Sequence, residues 1–219
     1  FGTQLDLYRE GYEWLNHSIA AKDAHDLVQD PRVTVGNAAC RQPYSASLLN
    51  VSAMSFGSLS KNAIMALNGG AEMGGFAHNT GEGGISPYHE KHNGDLIYQF
   101  GTGYFGCRTP DGQFSPEAFA ERAASPQVKM IEVKLSQGAK PGHGGILPAA
   151  KNTPEIAKIR GVKVGTSVLS PPGHKAFSTP QGLVAFIGQL RELSKGKPVG
   201  FKLCMGSRSE FMAICKAMI

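Results

Sequence analysis

Two lysines and a glutamine, Lys134, Gln137 and Lys140, stand close together, and the last two lie inside the glycine run Gln137-Gly-Ala-Lys-Pro-Gly-His-Gly-Gly145. Ammonium and amide donors beside bare backbone suit an anionic ligand, or negative charge that develops during a reaction. Lys134 is a charged residue near the end of the strand-like Val128-Lys-Met-Ile-Glu-Val-Lys-Leu135, whose Val128, Met130, Ile131 and Val133 are apolar; it either points inward to do something or reaches out to solvent. Three other segments share the small-residue character: Ser55-Phe-Gly-Ser58, Asn79-Thr-Gly-Glu-Gly-Gly84 and Thr102-Gly-Tyr-Phe-Gly106. Ser55, Gly57, Gly81, Gly83 and Gly84 let backbone approach a planar ligand, and Met54 can line an apolar ring face or simply fill core. Glu82 either orders its loop or touches the ligand.

Other reactive types carry less. His89 and His92 make a His-x-x-His after a Pro-Tyr turn, but no third ligand stands at a telling spacing, so no metal is assigned. The cysteines Cys40, Cys107, Cys204 and Cys215 are far apart with no Cys-x-x-Cys. That argues against a zinc ribbon, a redox dithiol or a dense disulfide scaffold, and it favours a reducing compartment. Cys107 has no histidine base beside it in sequence, so a nucleophile role is not assigned. Cys204 and Cys215 read as small core residues.

The elements that must position these residues follow from pattern. Of the 28 glycines, 11 fall between Gly69 and Gly106 and 4 more between Gly138 and Gly145. Strands are expected near 48–54, 75–79, 128–135 and 198–204. Helices should follow Ser60, Ser115-Pro, Thr153-Pro, Thr179-Pro and Ser207, each a hydroxyl cap before an amphipathic run. Strands alternating with helices imply a parallel α/β sheet, whose sites gather at the carboxyl ends of the strands, where the glycine clusters sit. Leu5, Tyr8, Tyr12, Leu15 and Ile19 have the spacing of an outer amphipathic helix. The reading therefore divides the chain into a helical or extended extension over 1–46 and a barrel-type domain over 47–219.

The 219 residues, 41% hydrophobic and 18% charged, are enough for one large domain with a substantial core. No segment approaches the ~18 uncharged apolar residues of a membrane helix. Twenty-two Lys and Arg face 17 Asp and Glu, a net +5, with the signs alternating along the chain. Without a basic block interleaved with aromatics, nucleic acid is not an expected partner.

Read in order, Ala53-Met-Ser-Phe-Gly-Ser-Leu-Ser60, Asn79-Thr-Gly-Glu-Gly-Gly84, Gln137-Gly-Ala-Lys-Pro-Gly-His-Gly-Gly145 and Ser170-Pro-Pro-Gly-His174 closely resemble the FMN-binding synthase domain of glutamate synthase. The match covers about Val51 to Cys204 and is closer to the short bacterial glutamate-synthase-like FMN proteins. The resemblance implies a parallel (β/α) barrel of TIM type, of which the first half, four strands, is counted here. It implies FMN as cofactor and reduction of 2-iminoglutarate, formed from 2-oxoglutarate and ammonia, to glutamate in the full-length parent. Carried over residue by residue, the cofactor contacts are Met54, Ser55, Gly57, Thr80, Gly81, Gly103 and Gln137. Lys134, Gln137, Lys140 and Glu82 handle a 2-oxoglutarate-like dicarboxylate, and His174 shapes its loop.

The chain departs from the pattern in three places. Tyr104 stands where that family commonly has arginine, Gly83-Gly-Ile85 replaces Gly-Gly-Glu, and His143 replaces a common glutamate. A flavin enzyme of the same fold with a different substrate is therefore the second reading. A non-catalytic, self-associating half-barrel with exposed sheet edges is another, and a phosphate-sugar barrel without flavin, which would show no visible absorbance, is a further one. The family's glutaminase domain and the cysteine cluster for an iron-sulfur centre are not encoded here. FMN binding by this chain is expected to be weak or absent, because such barrels usually build the phosphate site after strands seven and eight. The expected location is the cytoplasm, with an anchor upstream of Phe1 in the parent left open.

Overall fold

In a computed structural model, which describes residues 16, 18–138, 142 and 144–219, every α-helix begins at a hydroxyl. The helices are α1 (Lys61–Gly74), α2 (Pro87–Glu90), α3 (Pro116–Ala123), α4 (Pro154–Arg160), α5 (Pro180–Leu193) and α6 (Arg208–Ala217). Ser60, Ser86, Ser115, Thr153, Thr179 and Ser207 each accept the backbone N–H three residues on. These bonds satisfy donors that the first turn cannot. Proline opens α2 to α5, where its missing N–H costs nothing. The expected N-terminal amphipathic helix lies, but for Ile19, outside the described residues, as do Lys140 and His143.

Phe1–Pro31 and Arg32–Ile219 are two separate compact units. Within the first, Asp23 caps a short turn at Ala24–Asp26. In the second, β1 (Arg32–Val35) and β2 (Tyr44–Ser47) form an antiparallel pair. They are followed by β3 (His78–Asn79), β4 (Leu96–Phe100), β5 (Val128–Lys134), β6 (Ile146–Leu147), β7 (Val168–Leu169) and β8 (Val199–Lys202). The order β3-β4-β5-β8 is a four-stranded sheet, parallel at every step. With helices returning each strand to the same end, this is an arc of a (β/α) barrel. Between β5 and α5 the chain makes a long excursion in which α4 is flanked by the antiparallel pair β6-β7.

Alternation along the strands decides what each face does. Tyr98, Phe100, Ile131 and Val133 face the helices and join Phe119, Leu183, Phe186, Ile187 and Leu190 in the main core. Ile97 and Met130 turn to the other face, with Val35 and Tyr44 of the antiparallel pair. Gln99, Glu132 and Lys134 continue that inner face toward the carboxyl ends of the strands.

Two expectations change. The stretch 48–54 is not a strand of its own but a single parallel bridge, Val51 to His78, with the Val51 N–H donating to the Ala77 carbonyl at 2.8 Å. The chain has just left β2, and Leu48 and Leu49, 65% and 75% exposed, turn it before Val51. The fourth full strand is β4, a run bounded by Gly94 and Gly101 and hidden within the glycine cluster. The strand expected over 75–79 is only its last two residues. Gly75, at φ +64°, ends α1 in the left-handed conformation instead, its N–H on the carbonyls of Ala71 and Glu72. Among the described residues, no helix is long and apolar enough to cross a membrane.

Candidate active site

At the carboxyl ends of the parallel strands lies a cleft of about 280 Å³. β5 delivers Lys134 to it. The Lys134 Nζ donates to Glu82 Oε1 at 2.8 Å and to Gln137 Oε1 at 2.7 Å. The Lys134 and Glu82 side chains are only 12% and 19% exposed, so the pair is largely desolvated. Glu82 is held by absence of bulk on two sides. A Cβ at Gly101 would come within 2.2 Å of Oε2, and one at Gly145 within 2.7 Å of Oε1.

Parallel pairing brings a second ammonium alongside. Lys202 on β8 is the register partner of Lys134, and both line the cleft. Like charges on neighbouring strands repel unless an anion joins them. A third cation comes from the excursion: Arg160, the last residue of α4, is 6% exposed. Its Nη2 donates to the Phe56 carbonyl at 3.3 Å, its guanidinium lies 5.4 Å from the Phe105 ring centroid, and its Nε has no partner among the described residues. Burial lowers the Arg160 pKa and the Glu82 carboxylate opposes that; an arginine remains charged throughout. Below them Glu132 Oε1 accepts from Asn79 Nδ2 at 2.9 Å and from Gln99 Nε2, forming a polar floor.

The loop carrying Met54 and Ser55 is pinned from behind. The Met54 N–H donates to the Asn79 carbonyl at 3.0 Å, and the Met54 carbonyl accepts from His89 Nε2 at 2.9 Å. A carbonyl only accepts, so His89 carries its proton on Nε2. Its Nδ1 then accepts from the Ser86 N–H at 3.1 Å and lies 2.8 Å from Ser86 Oγ. Burial lowers the His89 pKa and keeps it neutral. Gly81 packs backbone on backbone here: at φ +67°, a Cβ would lie 2.8 Å from the Ser55 nitrogen.

The fold brings Met54, Ser55, Gly81, Glu82, Lys134 and Gln137 together around one cleft. Thr80 stands behind the wall, its hydroxyl accepting the Gln99 N–H at 3.1 Å and donating to the Gly81 carbonyl. Gly103 faces Phe105, whose ring a Cβ would meet at 2.6 Å, and Gly57 faces the flank of Arg160 and Ile156. None of the three lines the cleft itself; each packs against a residue that does. Cys107 is fully buried and its pKa is pushed up to about 12 by desolvation, so it stays a thiol. No group of three or more His, Cys, Asp or Glu that could hold a metal is found among the described residues. Lys202, Arg160 and Gln99 are cleft residues that sequence reasoning did not reach. Lys202 carries a signal that also marked Lys134, a lysine at the end of a strand. Arg160, a cation in the last turn of a helix, reads in sequence only as a partner for the helix dipole.

A parallel α/β arc with a cation-rich cleft at its strand ends defines a barrel-type protein. The conserved region in glutamate synthase matches residues 3–218, and the chain belongs to that family. It is 43% identical over 190 residues to the glutamate synthase large subunit-like protein YerD of Bacillus subtilis, covering 86% of this chain and 36% of that protein. Against the archaeal-type glutamate synthase [NADPH] of a Thermotoga species it is 37% identical over 152 residues, 69% of this chain and 27% of the relative. A glutamate synthase large subunit-like protein of Rhizobium meliloti is 31% identical over 176 residues, 80% of this chain and 37% of the relative. The chain thus spans about a third of the length of these curated relatives.

Proposed function

We propose that this chain contributes the substrate end and the flavin-ring end of a glutamate synthase-type oxidoreductase that reduces 2-iminoglutarate to glutamate. The observation that carries the reading is the charge of the cleft: Lys134, Arg160 and Lys202 face it with Glu82 as the opposing carboxylate. Cations held out of water call for an anionic partner, and a dicarboxylate supplies two negative charges.

The residues present fit FMN at its ring end. Gly81 and Gly145 leave backbone bare on the cleft wall, Met54 and Leu59 add apolar surface, and Lys202 offers positive charge for the electron-accepting edge of a flavin. When bound, FMN would supply the hydride for the imine carbon. Lys134 and Arg160 bind the substrate carboxylates. Gln137 holds the Lys134 ammonium in place, and Glu82 balances it while favouring the protonated, more electrophilic imine.

Protein purified with its complete barrel should show a visible flavin spectrum. Once reduced without air, its flavin should be reoxidised by 2-oxoglutarate with ammonium. A colourless protein would overturn the reading. Reoxidation by another 2-oxo acid in place of 2-oxoglutarate would support the same chemistry on a different substrate. Ile85 favours that variant: it is 5% exposed within the main core, where the resemblance has a glutamate.

A further inference from the structure

Tyr104 is fully buried and sits at φ +49°, a left-handed conformation that is costly for a side-chain-bearing residue. Such a cost persists where the surroundings impose it. What surrounds it is a hydrogen-bonded chain ending at Lys134. His174 Nε2 lies 2.9 Å from the Lys134 carbonyl, and His174 Nδ1 lies 3.1 Å from Tyr104 Oη. The Ala176 N–H donates to the same Tyr104 oxygen at 3.1 Å. The His174 ring stacks on Phe177, with centroids 4.8 Å apart and planes at 18°.

The proton positions follow from what each atom can do. The Lys134 carbonyl only accepts, so His174 carries a proton on Nε2. A neutral ring then leaves Nδ1 as acceptor, and the Tyr104 hydroxyl donates to it while accepting from Ala176. Every member is satisfied in this single arrangement. An imidazolium would turn Nδ1 into a donor and leave the buried Tyr104 proton without an acceptor.

We propose that Tyr104 and His174 are positioning residues for Lys134, a relay that holds the end of β5 at the angle from which Nζ meets both Glu82 and Gln137. The proposal rests on the reading of the cleft as a dicarboxylate site, but the relay can be tested without it. The Thr102 hydroxyl, which donates to the Pro171 carbonyl at 2.6 Å, ties the same two loops together nearby. That bond holds the loop that bears Tyr104 against the loop that bears His174.

Long-range proton–nitrogen NMR on histidine-labelled protein should find His174 neutral, with its proton on Nε2, at pH 7. A proton on Nδ1, or a ring that titrates like an exposed histidine, would overturn the relay. In Tyr104→Phe the Nδ1 atom loses its donor, so His174 should take up a proton at higher pH than in wild type. An unchanged titration removes Tyr104 from the relay. His174→Ala should weaken 2-oxoglutarate binding by roughly 3- to 10-fold, the weight of one hydrogen bond. His174→Gln, which keeps a donor toward the Lys134 carbonyl, should recover most of it at a similar loss of melting temperature. Equal affinities for the two variants would assign His174 to packing alone. If wild type does not bind 2-oxoglutarate, the substrate reading fails and the Lys134 ammonium signal decides the relay. A slowly exchanging signal present in wild type and His174→Gln but lost in His174→Ala supports it, and one unchanged in all three overturns it.

Discussion

At the scale of single residues, the cleft is organised by Lys134 and by the empty space around its partner. Under the proposed function, in protein with its complete barrel, Lys134→Ala or Gln137→Ala should lower turnover on the order of a hundredfold, the usual weight of one preorganised donor, with flavin content almost unchanged. Turnover within about twofold of wild type for both would place them outside the chemistry, given that expected loss. Gly101→Ala makes the converse test. It leaves every polar group of the cleft in place but puts a methyl where the Glu82 carboxylate now sits. Because that carboxylate is the end of a flexible side chain, the protein should fold with little loss of melting temperature while Glu82 swings away from Lys134. Activity equal to wild type would show that the Glu82–Lys134 contact is dispensable. Lys134, Gln137 and Glu82 were legible in sequence because they sit in strand-end and glycine-loop contexts. Arg160 was not, since its place in the cleft depends on how the excursion folds back.

At the scale of elements, two buried histidines support the strand ends. His78 of β3 and His89 of α2 have ring centroids 5.3 Å apart, and both are fully buried. Burial, with His89 alongside, lowers the His78 pKa from 6.5 to about 4. The unfolded chain takes up these protons near pH 6.5, whereas the folded chain resists until well below it. The associated stability is thus fully present above about pH 6.5 and is lost as pH falls toward 4. By pH 5 the loss from His78 alone should be on the order of 2 kcal/mol, read as a lower urea midpoint. His78→Leu, if it folds, should flatten that acid slope. An equally steep slope in the variant would place the acid sensitivity elsewhere. The pair escaped sequence reading because His89 drew attention as half of a His-x-x-His. Its actual work, pinning the Met54 carbonyl and capping α2 with Ser86, depends on a four-residue helix too short to see in pattern.

At the scale of the whole molecule, the sheet has an edge. Among the described residues β8 pairs with β5 alone, and its Phe201 and the adjacent Leu203 are only half-buried. An edge with apolar side chains is a template for another strand. We expect this 219-residue chain to self-associate and to bind FMN weakly. Light scattering after gel filtration and an FMN titration check both. A strict monomer that co-purifies with stoichiometric flavin would mean that the site closes in another way.

What the sequence determined by itself was local: where helices start, since a hydroxyl followed by an amphipathic run is sufficient for a cap, and that β5 is a strand with a glycine loop at its end. It also carried the order of four motifs, enough to recognise the family. The tertiary structure alone decided which residues share the cleft. Lys134 and Lys202 become neighbours through parallel register across 68 positions of chain. Arg160 arrives only because β6 and β7 pair and turn α4 back over the strand ends. Caps and periodicity are read within a few residues, where backbone geometry is set. Register and excursion packing are set by burial summed over distant segments, and no local pattern records that sum.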